Sequence, residues 1–295
     1  MSFPILELKS LDQMWFQISG TICNLKCEHC FISCGPNNHT FEMMDKDYVF
    51  KIIEESANKG IKEFYFTGGE PLIHKDIIQI IKKALDYAPT TILSNGILIS
   101  NELANDLNQI HQKSKYSLEI RISLDSYIEL EHNKLRGKNS FKKALEGITK
   151  LVNNDFMPIV TVTKTWEDEN DQIAQTNLKK ILREIGYFRS RIKILPILKI
   201  GKESARGNKY GDFEEVTEEM MIDFDQSQLL CSTSRIATSK GFYSCPILID
   251  YAQARVGETL NDSLTSIELS QKACYTCYMW GSVCSNMPSA EKYVR

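Results

Sequence analysis

Six short apolar segments alternate with helical stripes between residues 14 and 198, and no other feature constrains the fold as much. The strand-like segments are MWFQIS (14–19), EFYF (63–66), TTIL (90–93), LEIRISL (118–124), PIVTVT (158–163) and IKILPIL (192–198). Between them, apolar residues recur every three or four positions, the spacing of a helix with one buried face. Val49, Ile52, Ile53 and Ala57 form one such stripe, with Asp45 placed to cap it and Gly60 to stop it. Others are Ile77/Ile78/Ile80/Ile81/Ala84/Leu85, then Leu103/Ala104/Leu107/Ile110 behind Ser100. Phe141/Ala144/Leu145/Ile148/Leu151 and Ile173/Leu178/Ile181/Leu182/Ile185 follow. Strand, loop and helix in repetition predict a parallel sheet with helices outside. Six strands are too few for a closed eight-stranded barrel. The expected fold is therefore α/β, a partial (β/α)6 TIM-like barrel, with its chemistry at the C-terminal ends of the strands.

The chemically unusual residues fall at those ends. The first strand runs into CNLKCEHC (23–30), the second into TGGEP (67–71) and the third into SNG (94–96); the fourth delivers Ser123 and Asp125. Nine cysteines are many for 295 residues, and they are unevenly placed. Cys23, Cys27, Cys30 and Cys34 lie at the front, and Cys231, Cys245, Cys274, Cys277 and Cys284 at the back. Two clusters joined by a cysteine-free middle read as two metal sites on one scaffold. The C-x3-C-x2-C spacing admits two readings. A structural zinc wants four closed ligands, the fourth being Cys34 or His29. Three thiolates on a short loop also suit a [4Fe–4S] cluster, whose usual ligation is four cysteines, with one iron left open.

Composition narrows the setting. The chain is 42% hydrophobic and 25% charged, an ordinary globular balance. A net charge of -3 offers no basic footprint for nucleic acid. No apolar run approaches the roughly 18 residues of a membrane span, and the N-terminus lacks a signal-peptide layout. A cytoplasmic protein is expected, with no nucleic-acid or membrane partner and with thiols available to metals. GKESARGNKYGDFEE (201–215) is polar and glycine-bearing, and places a boundary between a barrel at 1–205 and a small cysteine-rich domain at 206–295. In the latter we expect an acidic helix at about 214–227. CSTSRIATSKGFYSC (231–245) should then form a hairpin turning near Gly241, with a cysteine from each arm, before the C-x2-C pair of CYTC (274–277).

With TGGEP after the second strand, CNLKCEHC resembles the signature of the radical S-adenosylmethionine (radical SAM) superfamily. The resemblance implies that Cys23, Cys27 and Cys30 hold a [4Fe–4S] cluster whose open iron chelates the amino and carboxylate groups of SAM. Backbone atoms of the Gly68, Gly69, Glu70 and Pro71 motif would receive the amino group, glycine allowing close approach. Ser94 and Asn95 would line the SAM pocket. Ser123 and Asp125 would bond the ribose hydroxyls or the methionine part, the plain alternative for Asp125 being a turn cap. NKLRGKNSF (133–141) resembles a segment in which an arginine faces the SAM carboxylate; here that residue is Arg136, the alternative being a solvated surface arginine. The implied activity is reductive cleavage of SAM to methionine and a 5′-deoxyadenosyl radical, which takes a hydrogen atom from substrate. The electron would come from a donor such as flavodoxin or ferredoxin.

The tail resembles the SPASM/Twitch extension of such enzymes. That implies a C-terminal auxiliary [4Fe–4S] cluster on Cys231, Cys245, Cys274 and Cys277, saturated by four thiolates and so suited to electron transfer. A zinc ribbon is the alternative. Cys284 is left over as a replacement ligand, a hydrogen-atom donor or an inert thiol, and Cys34 shares that ambiguity. The expected substrate is a ribosomally made peptide, modified by epimerisation, crosslinking or thioether formation. One alternative is dehydrogenation or epimerisation of an aminocyclitol or sugar-like small molecule. Another, from a different class, is a non-catalytic zinc or iron–sulfur protein that binds a partner. Only 22 residues precede Cys23, leaving no room for a leader-recognition domain, which weighs against peptide maturation. The RGKNSF segment and the hairpin-plus-pair tail weigh for it.

Overall fold

The computed structural model describes residues 3–166, 170–281 and 283–284. A two-residue strand, Ile5–Leu6 (β1), precedes Gln13–Gln17 (β2), whose five residues are all buried. The chain then alternates: Lys46–Ala57 (α1), Glu63–Thr67 (β3), Ile77–Leu85 (α2), Thr90–Ser94 (β4) and Asn101–Lys113 (α3). Leu118–Ser123 (β5), Glu129–Arg136 (α4), Ser140–Asn153 (α5), Ile159–Thr163 (β6), Asp171–Glu184 (α6) and Arg191–Leu195 (β7) complete it. The helices start where capping chemistry places them. Asp45 accepts from the amides of Asp47 and Tyr48, and Ser100 from that of Leu103. Their apolar stripes then press on the sheet, as with Ile77, Ile80, Ile81, Ala84 and Leu85 of α2.

Strands β2 to β7 run parallel in sequential order, the six-stranded curl expected from the alternation. The tail differs from expectation in two ways. Beyond the short helix Lys202–Ala205 (α7), no α-helix covers 214–227; the segment carries only the 3-10 turns Glu219–Met221 and Gln226–Gln228. Its buried apolar residues are sparse, Val216 and Met221 before Leu229, so there is no continuous face for a helix to bury. The hairpin forms as expected from Ser234–Thr238 (β8) and Gly241–Tyr243 (β9), but β8 also pairs parallel with β2. It covers an edge that β2 would otherwise expose. With Arg255–Gly257 (β10) on β9, the sheet reaches nine strands in the order β10-β9-β8-β2-β3-β4-β5-β6-β7. Ile267–Glu268 (β11) pairs with β1, and Ala273–Trp280 (α8) carries the C-x2-C pair.

One close approach fixes α5 against the sheet. A Cβ at Gly147 would lie 2.2 Å from the carbonyl oxygen of Gly96, in the turn after β4. Helix propensity alone would make Gly147→Ala stabilising by about 1 kcal/mol. Overpacking typically costs about 1–3 kcal/mol, and here the obstacle is backbone. We expect Gly147→Ala to lower unfolding stability by about 1–2 kcal/mol in urea titrations of the metal-free protein; a stabilised variant would contradict this packing.

Candidate active site

The loop after β2 closes on itself before it presents any thiol. Ile22 bridges to Gly35, the Cys23 amide donates to the Gly35 carbonyl, and the Gly35 amide donates to the Thr21 carbonyl. Cys34 is thereby brought behind Cys30: its amide donates to Cys30 Sγ at 3.3 Å. Hydrogen bonding from the Cys34 thiol is the main reason that Cys30 is pulled down to about 6. Burial pushes Cys23 up to about 12 and raises Cys27 as well, Arg136 opposing the shift at Cys27.

The TGGEP segment holds this loop against the sheet. The Gly69 amide donates to Gly20 O at 2.8 Å and the Glu70 amide to Ile22 O at 3.0 Å. A Cβ at Gly69 would lie 2.1 Å from Ile22 O, so the strand end and the thiol loop meet only because residue 69 is glycine. An ammonium group, which can only donate, would be received here by backbone carbonyl oxygens, since the amides are donors themselves. Glu70 is fully buried. It accepts from Leu72 N, Ser94 Oγ and Asn95 N, locking the end of β3 to that of β4. Burial raises its carboxyl to about 7 against those hydrogen bonds. Asn95, so placed, directs its Nδ2 to Asn24 Oδ1 at 2.8 Å and lies 3.9 Å from Cys23 Sγ.

A third tie comes from β5. Asp125 is fully buried and pairs with His29 Nε2 at 3.0 Å and with Arg136 Nε; its Oδ1 accepts from the Thr163 amide. Burial alone would raise its carboxyl, yet Arg136 and His29 hold it well below the usual carboxylate range. The Glu28 amide also donates to Leu135 O, so α4 grips the thiol loop through backbone as well as side chain.

These ties surround a cavity of about 230 Å³ at the C-terminal ends of the parallel strands. Cys23, Cys27, Cys30, Cys34, Gly68, Gly69, Ser94, Asn95, Ser123, Arg136 and Cys284 all line it. Three residues expected at the pocket do not. Glu70 and Pro71 lie beneath it, Pro71 opening the 3-10 turn Pro71–Ile73, and Asp125 is wholly engaged in holding His29 and Arg136. Arg136 is a largely enclosed cation at the wall, its side chain 12% exposed and paired with Asp125, rather than a solvated surface arginine. His29 as the partner of Asp125 was missed. Nothing in the sequence marks a pair 96 positions apart, although a histidine between two of the cysteines was the one available hint.

The tail builds a second site. Cys231 leads into β8 and Cys245 follows β9, so the hairpin delivers both at one end. Cys274 and Cys277 come from α8, and all five tail cysteines line one small cavity. Burial, before any neighbour, pushes Cys245 to about 11, Cys274 and Cys284 to about 12, and Cys231 and Cys277 well above the thiol range. Such thiols ionise only beside a cationic centre. Among the described residues, no three His, Cys, Asp or Glu side chains sit close enough to share a single metal ion. Two buried arginines reach the backbone of this segment: Arg121 donates to the carbonyl of Cys284 and Arg235 to that of Cys231.

The Radical SAM superfamily model matches residues 18–179, more than half of the chain. The protein belongs to the radical SAM superfamily, enzymes that use SAM with a [4Fe–4S] cluster. It is 24% identical to a GTP 3′,8-cyclase of Petrotoga mobilis over 220 residues, 73% of this chain and 64% of the relative. It is 32% identical to a GTP 3′,8-cyclase of Aliarcobacter butzleri over 133 residues, 43% of this chain and 38% of the relative. The chain thus spans less than two thirds of the length of these curated relatives. Among solved structures, Streptococcus suis SuiB bound to precursor peptide SuiA superposes with a TM-score of 0.66 at 16% identity, over 88% of this chain and 65% of that one. The anSMEcpe structure with bound AdoMet and Cp18Cys peptide gives 0.61 at 16% identity, over 85% and 79%. These likenesses establish the shared fold.

The Asp125 cluster yields a direct expectation. Removing one partner of a buried ion pair typically costs about 3–5 kcal/mol, so Asp125→Asn should destabilise the metal-free protein by about that amount at neutral pH. The sign with pH follows from a depressed carboxyl. The Asp125 contribution is complete above its ordinary value of 3.8 and is lost as pH falls through the lower folded value. Denaturant curves of wild type and variant should therefore converge on acidification below about pH 4; a constant gap would contradict the ion-pair assignment.

Proposed function

We propose that this chain cleaves SAM reductively in the cavity at the strand ends and uses the resulting radical to abstract a hydrogen atom from a peptide substrate. The convergence of three loop thiols with Arg136, Ser94, Asn95 and the Gly68–Gly69 backbone on one cavity carries the reading. Cys23, Cys27 and Cys30 would hold the cluster, which when bound supplies the electron that breaks the C–S bond of SAM. Arg136, kept cationic by Asp125, supplies a charge suited to the SAM carboxylate. Ser94 and Asn95, fixed by Glu70, offer polar groups along the cavity wall. The lumen residues Trp15, Leu93 and Leu195 keep the cavity largely apolar, which shields a radical from competing hydrogen donors. Cys231, Cys245, Cys274 and Cys277 would hold an auxiliary cluster, and a small flavodoxin- or ferredoxin-type protein would deliver electrons.

The peptide reading rests on an open groove of about 790 Å³ that begins at Pro196 and Ile197, which also wall the inner cavity. It is lined further by Trp166 and by Tyr275 and Met279 of α8. Its cations are already matched: Lys164 with Asp171, Lys199 with Glu214 and Arg206 with Glu203. An extended chain fits such a path better than a triphosphate does. The peptide-bound state of the SuiB and anSMEcpe structures supports the same class. A second reading, cyclisation of GTP, is favoured by the names of the curated relatives.

Under anaerobic reduction with SAM, we expect 5′-deoxyadenosine from wild type and none above background from Cys27→Ala. A pool of short peptides should stimulate wild-type turnover while GTP leaves it unchanged. Stimulation by GTP alone would transfer the assignment to nucleotides, and full cleavage by Cys27→Ala would remove the first-cluster assignment.

A further inference from the structure

Arg121 lies in the middle of β5 with only 2% of its surface exposed, on the cavity side of the sheet. A guanidinium stays charged in a protein and brings five donors, so burying one demands matching partners. Its Cζ sits 5.7 Å from the centroid of the Tyr65 ring, and Tyr65 stacks on Trp15 with centroids 4.1 Å apart and planes within 7°. This ladder crosses the lumen from β2 through β3 to β5. At its end Nη1 donates to the backbone carbonyl of Cys284 at 2.5 Å, joining residues 163 positions apart.

That carbonyl belongs to a distinctive position. Cys284 and Val283 line both the strand-end cavity and the second cysteine cavity. Cys231, Cys245, Cys274 and Cys277 line only the second. Cys284 therefore stands in the shared wall, and Arg121 holds that wall from the barrel side. Arg235 does the corresponding work on the far side. It is fully buried and donates to the carbonyls of Cys231, Ser234, Ser263 and Thr265, all within the tail. Arg121 alone of the two reaches from the barrel to the tail. A buried cation beside a thiolate-bound iron–sulfur group favours its more reduced, more negative state, because net charge and hydrogen bonding set the potentials of such groups.

We infer that Arg121 is a positioning residue for the second cysteine site: it fixes the wall between the two cavities through Cys284, and its buried charge raises the reduction potential of the group held there. The inference rests on the reading that the tail holds a [4Fe–4S] cluster.

The test compares reconstituted wild type, Arg121→Met and Arg121→Lys by iron counting and by EPR-monitored redox titration. Wild type should carry about eight irons. Arg121→Met should keep them while the tail-cluster potential shifts downward, and Arg121→Lys should recover most of the shift. Loss of the tail irons from Arg121→Met but not from Arg121→Lys would support the same role, since charge would then be required for assembly. An unchanged potential in Arg121→Met, an equal shift in both variants, or loss of the tail irons from both would overturn it. Wild type with only about four irons, all abolished by replacing Cys23, Cys27 and Cys30, would remove the tail-cluster reading and the inference together. Eight irons with no shift would remove the inference alone.

Discussion

The carboxylate of Asp125 is the point on which the strand-end site depends. It lies just past the end of β5, fully buried, and holds a histidine from the thiol loop, an arginine from the end of α4 and an amide from the end of β6. A thiol loop of this kind has little regular structure to stiffen it. Its shape comes from its own Ile22–Gly35 bridge, from the Gly69 and Glu70 amides, and from the His29–Asp125 pair. The same carboxylate lets Arg136 keep its charge where desolvation works against it. One buried anion thus shapes the loop that would carry the cluster and supplies the cation suited to the cofactor's acid group.

Glu70 works in parallel at the neighbouring strands. Its three hydrogen bonds leave Ser94 and Asn95 in fixed positions, and the glycines before it let the thiol loop lie directly on the strand end. Asp125 and Glu70 lie behind the cavity wall and set the residues that form it. Preorganisation of that kind is what radical chemistry asks of a protein, since the cofactor supplies the reactivity and the chain supplies placement and exclusion.

Periodicity made the barrel legible. The apolar stripes of α1, α2, α3, α5 and α6 and the six parallel strands are local patterns, written within ten or fifteen residues, and the structure follows them except at Ile173, which the first turn of α6 leaves 54% exposed while Ala174 is buried in its place. The thiol loop and TGGEP were legible because their residue types have few other uses at strand ends. What could not be read were long-range pairings. Nothing near Asp125 announces His29, and nothing in SRIAT distinguishes a hairpin arm from a strand that also joins β2. The acidic segment at about 214–227 reads as a helix in the sequence. It forms only 3-10 turns because it has too few apolar residues to bury. Which tail cysteine faces the barrel is likewise unmarked in the sequence; the bond from Arg121 to the Cys284 carbonyl spans 163 positions.

The central claim is that SAM binds the three-thiol site through its amino and carboxylate groups in the cavity beside Arg136. Electron–nuclear double resonance on the reduced, reconstituted protein tests it most directly, using SAM labelled with ¹⁵N in the amino group or ¹⁷O in the carboxylate. Hyperfine coupling from both labels to a cluster on Cys23, Cys27 and Cys30 is expected, and its loss when those cysteines are replaced. Absence of coupling from either label in wild-type protein shown to bind SAM would contradict it.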